Sequence, residues 1–461
     1  MQDLTTGSVS RHLLKTMSFM LVSMIFQTLY VLIDLYWVGR LGTDAVAAVA
    51  ISGNLMFVVL AVTQMLGVGT TALVSHAAGR KDRDRALLVF NQSQVMSLVV
   101  GALFLVVAMM LRSTYAQRLS ADRETAKLAG DYLLWFIPAM GLQFGLVSMG
   151  AALRGIGLFK PGMIVQTATI IINIVLAPFL IFGWLTGHAF GVAGAAIATF
   201  IAIAVGTVWI LTYFKRSAYL HFMLADWRPR FGLWREMLKI GLPAGAEFGL
   251  MAVYLGLVYY VTRPFGAAAQ AGFGIGLRIV QSAFLPVVAL GFSVAPVAGQ
   301  NYGARKGARV RETFKTAAMM ATGVMLIVIA IMHIAPGALV RIFSSDPNVI
   351  AVGEVYLRIA SWNFVASGLI FVSSSMFQAI GNTMPSLATS FTRIVLIAVP
   401  LLYLSGTPGF KLEWIWWISV ASVGLQMVMN LLLLRREFDR RLQFDDRPIA
   451  AAPPVAAAAE L

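Results

Sequence analysis

From residue 14 to residue 434 the chain is a succession of apolar runs of about 20 residues, the length a helix needs to cross the hydrocarbon core of a bilayer. Inside lipid a backbone must satisfy its own N–H and C=O groups, so such runs are confined to very few structures, of which the helix is the one this length fits. Applying that length gives twelve spans, near residues 14–38, 48–76, 92–111, 131–153, 163–183, 190–214, 238–262, 271–299, 314–335, 352–378, 384–404 and 413–434. Only 12% of the 461 residues are charged, against about 25% in a soluble domain. The expected fold class is an all-α integral membrane protein. The first run continues to about Val38 without a small-residue cleavage site, so it is read as a span and not as a removed signal.

The spans fall into two sets of six, because Gly42–Gly79 is repeated in plan by Gly266–Gly303 at an offset of 224 residues. Gly67 matches Gly291, and the basic run Arg80-Lys81-Asp82-Arg83-Asp84-Arg85 matches Arg305-Lys306-Gly307-Ala308-Arg309-Val310-Arg311. Ser120-x-Asp122 matches Ser344-x-Asp346, Tyr132-Leu133 matches Tyr356-Leu357, and Ile156-Gly157-x-x-x-Pro161 matches Ile380-Gly381-x-x-x-Pro385. A duplicated unit of this size means two lobes. An even number of spans in each unit gives both the same orientation, a parallel repeat about an axis along the membrane normal. The division expected is an N-terminal lobe at 1–214, a cytoplasmic linker at 215–236 lying along the membrane surface, a C-terminal lobe at 237–436, and a disordered cytoplasmic tail at 437–461. Trp414, Trp416 and Trp417 stand where the last span begins and are expected to anchor it at the interface.

The net charge of +15 does not point to nucleic acid, since the basic residues sit in short segments between spans. With the N-terminus in the cytoplasm, that side receives 24 of the 35 lysines and arginines and the outside nine, which places both termini inside. The chain has no cysteine, which removes disulfides and thiol chemistry. His12, His76, His188, His221 and His333 are scattered without metal-site spacing. No intramembrane cluster of the kind an enzyme needs is present, so no enzyme, cofactor or metal is expected.

Two acidic residues fall well inside spans, Asp34 in the first and Glu247 in the seventh. A charge there costs several kcal/mol and marks function by default. Burial penalises the carboxylate and not the neutral acid, so Asp34 is read as a proton carrier; the alternative is an aspartate that reaches water or a cation near the helix end. Glu247 follows Gly241-Leu242-Pro243-Ala244-Gly245-Ala246, where the helix is loosened. It either lines a cavity or sits at the interface near Lys239. Asn173 and Thr199 in spans five and six offer hydrogen bonds to Asp34, although membrane threonines commonly bond their own preceding carbonyl. Arg278 and Arg393 are read as buried cations, each either bracing a bent helix or gating. Tyr30 and Tyr36 flank Asp34 and are candidates for the substrate cavity. The 23 methionines and 29 phenylalanines suit adaptable binding of bulky lipophilic compounds, though lipid contact and helix packing use the same residues.

Taken together these residues resemble the multidrug and toxic compound extrusion (MATE) family, nearer its DinF-like branch. The resemblance rests on Phe273-Gly274-Ile275-Gly276-Leu277-Arg278-Ile279, then Leu285-Pro286 and Gly299-Gln300-Asn301-Tyr302-Gly303-Ala304. Asp34 with Val38-Gly39, the run Gly191-Val192-Ala193-Gly194-Ala195-Ala196-Ile197-Ala198-Thr199, and the paired I-G-x-x-x-P segments support it. The resemblance implies twelve helices in two six-helix lobes around a central cavity, in a bacterial inner membrane. It implies export of organic, often cationic compounds in exchange for protons or sodium, by a monomer whose partners are small molecules and lipids. It further implies that Asp34 is the coupling carboxylate, with Asn173 and Thr199 beside it. Many relatives place a second aspartate four residues after the asparagine; here that position is Ala177, which favours H+ over Na+ as the coupling ion. The alternative is a flippase for a lipid-linked precursor, which would favour basic residues in the cavity; a passive channel is a third reading.

Overall fold

The computed structural model describes residues 1–184 and 187–444. The first half folds into α1 (Val9–Gly39), α2 (Thr43–Gly53), α3 (Leu55–Gly79), α4 (Arg83–Leu119), α5 (Arg123–Gly155), α6 (Phe159–Phe182) and α7 (Gly191–Arg216). The second half folds into α8 (Phe231–Thr262), α9 (Ala267–Gly303), α10 (Gly307–Ile334), α11 (Pro336–Arg341), α12 (Pro347–Ala360), α13 (Asn363–Ala379), α14 (Met384–Ser405) and α15 (Leu412–Arg441). Among the described residues, eleven helical segments are long and apolar enough to span a membrane, and α12 with α13, bent by 55°, completes twelve. The tenth span is therefore broken near Ser361 and Trp362, where sequence reading gives one continuous run.

The matched landmarks turn out to be the turns. Gly42 and Gly266 have φ of 113° and 86°, and Gly157 and Gly381 have φ of 80° and 74°, conformations open chiefly to glycine. Lys81 and Arg305 share a φ of 58° directly after α3 and α9. Asp122 and Asp346 cap α5 and α12, accepting from the amides of Thr125 at 2.8 Å and Asn348 at 2.8 Å. The Thr125 amide holds the exposed Asp122 carboxyl below the usual carboxylate range.

Each half has its own apolar core, but the helix ends cross between them. Leu4, Val9 and Leu13 are fully buried in the core of the second half with Val258 and Phe273. Leu233 and Met237, which stand 224 residues after Val9 and Leu13, are buried in the core of the first half with Phe90 and Phe214. A third cluster, Val68 and Ala72 of α3 with Ile240 and Ala244 of α8, joins the lobes directly. This junction has almost no tolerance for side chains. A Cβ on Gly69 would stand 2.6 Å from the Met237 carbonyl oxygen, one on Gly245 would stand 2.5 Å from that of Ala61, and one on Gly241 would collide with the Met65 carbonyl.

On the same face the N-terminus forms a strap over the junction. The Gln2 amide donates to the Ile156 carbonyl at 2.9 Å. The Leu4 amide donates to Gln300 Oε1 at 2.9 Å, and Lys306 Nζ donates to the Thr5 carbonyl at 2.9 Å. The linker after α7 is tied to α4: Asn91 and Gln92, both fully buried, bond the backbone of His221, Met223, Asp226, Arg228 and Arg230. α15 continues to Arg441, into the stretch read as tail, and residues 445–461 lie outside the described ones. Of the three tryptophans near 415, Trp416 is in the core, stacked on Phe273 with ring centroids 5.2 Å apart, while Trp414 and Trp417 are exposed. An interfacial role thus fits two of the three.

Candidate functional site

α1 packs on α6 and α7, and its C-terminal half brings Tyr30 and Asp34, one helical turn apart, against the helices that carry Asn173 and Thr199. Thr199 Oγ1 donates to the Ala195 carbonyl at 3.1 Å, the backbone bond anticipated for a membrane threonine. With its proton committed there, the hydroxyl oxygen accepts from Asn173 Nδ2 at 2.9 Å and from the Tyr30 hydroxyl at 3.3 Å. One threonine thereby ties three helices together. The Asp34 carboxylate stands within electrostatic reach of the Tyr30 and Tyr132 phenols.

Asp34 Oδ1 and Asn173 Oδ1 are both buried and have no hydrogen-bond partner among the described residues. Both are acceptors, and leaving a buried acceptor unmade costs about 1–3 kcal/mol. What such a surplus of acceptors takes is a proton or a small cation. Ala177, one turn beyond Asn173 on α6, is buried in the core and adds no oxygen to the set.

Tyr36 does not join this group. Two residues after Asp34 on a helix it points roughly 200° away. It is 56% exposed, edge-on to Trp37 at 5.0 Å and with the Arg40 guanidinium 5.3 Å from its ring. Arg278 also differs from expectation: it is exposed on α9, with no ion pair among the described residues. Gly274 and Gly276, both before Arg278, let α9 approach Tyr259 and Tyr356.

Glu247 sits within a polar cluster of the second half. It stands on α8 near Arg393 of α14 and near the Ser374 and Ser386 hydroxyls of α13 and α14, which bond each other at 2.6 Å. Arg393 in turn stands 5.5 Å over the Tyr254 ring. Glu247 Oε1 and Arg393 Nε have no partner among the described residues. The cluster is not the repeat mate of the first site, for the position 224 residues after Asp34 is Val258, a core residue. Sequence reading missed Tyr132 as a neighbour of Asp34; a lone tyrosine within an apolar span was the signal, and it served only as a landmark of the repeat.

A protein-family model described as MatE matches residues 20–179 and 243–404. The multidrug export protein MepA of Staphylococcus haemolyticus is 28% identical over 368 residues, covering 79% of this chain and 80% of that protein. MepA of Staphylococcus aureus is 26% identical over 427 residues, covering 90% and 92%. Among solved structures, the outward-facing conformation of a multidrug resistance MATE family transporter superposes with a TM-score of 0.89 at 24% identity, over 96% of this chain and 98% of that one. A MOP superfamily transporter from Pyrococcus furiosus gives 0.87 at 24% identity, again over 96% and 98%. These two establish likeness of fold.

Proposed function

The chain belongs to the MATE family of membrane transporters, a family of exporters and not of enzymes, and on that footing we propose that it exports lipophilic, often cationic compounds in exchange for protons by alternating access. The observation that carries this reading is the pair of unpartnered acceptors, Asp34 Oδ1 and Asn173 Oδ1, in a site with one carboxylate. A neutral Asp34 donates where the anion only accepts, so loading a proton changes the hydrogen bonds available to α1 from those of an acceptor to those of a donor.

The cycle follows from that difference. Proton uptake from outside neutralises Asp34, weakens the attraction for an organic cation, and lets the outer half of α1 repack on α6 and α7. Proton loss to the cytoplasm restores the anion and its affinity. A ligand shifts such an equilibrium only by its differential affinity for the two states. Here proton and organic cation compete for one carboxylate, and this competition makes the exchange obligatory. The face carrying the N-terminus and the strap is assigned to the cytoplasm by the distribution of lysine and arginine, and its sealed junction belongs to the release half of the cycle. Tyr30 and Tyr132 border the carboxylate and would contact cargo; Glu247 and Arg393 form a second polar locus in the other lobe.

The test is transport in proteoliposomes of a fluorescent organic cation under an imposed proton gradient, and separately under a sodium gradient. Transport driven by protons and indifferent to sodium is expected; transport driven by sodium alone would overturn the proton assignment. Two milder changes probe the surround. Thr199→Val removes the oxygen that Asn173 and Tyr30 share, and a drop in proton-driven transport of about tenfold is expected, the equivalent of one buried hydrogen bond. Tyr30→Phe removes only one of those bonds and should cost less than Thr199→Val in the same assay.

A further inference from the structure

The closed junction on the cytoplasmic face carries a pair of hydrogen bonds that obey the internal repeat. His76 Nε2, at the end of α3, donates to the Ala379 carbonyl at the end of α13 at 2.6 Å. Gln300 Nε2, at the end of α9, donates to the Gly155 carbonyl at the end of α5 at 3.0 Å. Residues 76 and 300 are 224 apart, and so are 155 and 379. Each bond crosses from one lobe to the other. The backbones beneath obey the same relation: a Cβ on Gly79 would strike the Gln300 carbonyl, and one on Gly303, its repeat mate, would strike the His76 carbonyl. Both donors are buried. The junction is a two-fold clasp, alike on its two sides except that one donor titrates and the other does not.

We propose that His76 is a positioning residue of the cytoplasmic gate, and that protonation of its ring releases the clasp. The groups facing it explain the direction. Arg80 on its own helix end and Arg441 of α15 both act on the ring electrostatically, and Arg441 also reaches toward the Ile380 carbonyl at 3.4 Å. Tyr302 of α9 packs on it with ring centroids 5.0 Å apart, α13 presents only its carbonyl, and α8 presents the apolar Ile240 near Gly381. The one carboxylate in the neighbourhood, Glu437, is already paired with Arg441 at 2.7 Å and bonded by Asn382 at 2.9 Å. Protonation leaves the Nε2–H bond to the Ala379 carbonyl in place, but a cationic ring in the closed clasp is cut off from water and meets two arginines and no free anion, whereas in the open state it meets water. Acid on the cytoplasmic side therefore favours the open gate, and neutral histidine favours the closed one. Gln300, whose Oε1 accepts from the Leu4 amide of the strap, holds the other side at every pH.

This inference rests on the alternating-access reading but not on Asp34, and the experiment separates the two. The chain has no cysteine, so Lys160→Cys and Met384→Cys, exposed repeat mates at the starts of α6 and α14, take a dye pair across the gate. Single-molecule energy transfer is read from about pH 8 to about pH 5, through and below the ordinary titration of histidine, in an Asp34→Asn background that removes the coupling carboxylate. The ratio of separated to close pairs should rise with acid, approaching about tenfold per pH unit for one linked proton. Adding His76→Gln should flatten the dependence while keeping the close population. Gln300→His, which puts a titrating donor on both sides, should steepen it towards about a hundredfold per unit. A flat profile with His76 present, a slope that survives His76→Gln, or an unchanged slope in Gln300→His would each overturn the proposal. Failure of proton-driven transport with the clasp still responding to pH would instead overturn the coupling reading alone.

Discussion

Asp34→Asn is expected to lower proton-driven export by at least about a hundredfold while leaving the protein folded in the membrane. Asparagine keeps the shape and one carbonyl acceptor of the side chain but cannot take up a proton, so the step that exchanges cargo for proton has no counterpart. A hundredfold loss corresponds to about 2.7 kcal/mol of coupling, modest beside the cost of placing a charge at this depth. Folding should survive because Asp34 Oδ1 makes no hydrogen bond to the described residues, so the substitution breaks no bond through that atom. Thermal unfolding in detergent checks that, and organic-cation binding separates loss of affinity from loss of exchange. Asparagine should bind the cation more weakly and without the pH dependence of the wild type.

The second large effect is expected at Gly241. Its Cβ position is occupied by the Met65 backbone carbonyl of α3, an atom that cannot rotate aside as a side chain can. Gly241→Ala must therefore separate α3 from α8 at the lobe junction, an overpacking change of about 1–3 kcal/mol or more. Gly130 on α5, with nothing within 4 Å of its Cβ position, provides the control. Gly130→Ala should transport as the wild type does, while Gly241→Ala should lose transport by about tenfold or more. The dye pair at positions 160 and 384 should show it trapped with the cytoplasmic face apart. Wild-type transport by Gly241→Ala would mean that the closed junction is not on the transport cycle.

Much of this architecture is legible in the sequence because the repeat preserves the residues that turns require. Gly157 and Gly381 stand at positive φ, and Asp122 and Asp346 are caps. These are local requirements of the backbone, so they leave local marks. The break between α12 and α13 leaves none, since Ser361 and Trp362 carry no proline or glycine signal, and packing sets the bend. The exchange of helix ends between the lobes is equally silent, because Leu13 and Met237 would be apolar in either core. Trp416 reads as an anchor because its neighbours are exposed, yet it faces Phe273.

The candidate site divides in the same way. Asp34 stands out because a carboxylate in an apolar span is costly, and Asn173 and Thr199 stand out as polar groups within spans that the family resemblance sets beside it; their mutual hydrogen bond required the fold. Tyr36 and Arg278 are suggested by proximity in sequence and by charge; the fold leaves both exposed and away from the Thr199 hydrogen bonds. His76 looked like one of five scattered histidines, and only the pairing of residues 76 and 379 with 300 and 155 gives it a place.

The proposed coupling role of Asp34 is tested most directly by counting protons. Purified protein in weakly buffered detergent solution, over a pH range that extends below the point at which Asp34 is half loaded, is mixed with a saturating organic cation while a pH-sensitive dye reports protons released. The account predicts close to one proton released for each cation bound at pH values where the site is loaded, and none from Asp34→Asn. Equal release from the wild type and Asp34→Asn, or binding without any release across the pH range, would contradict it.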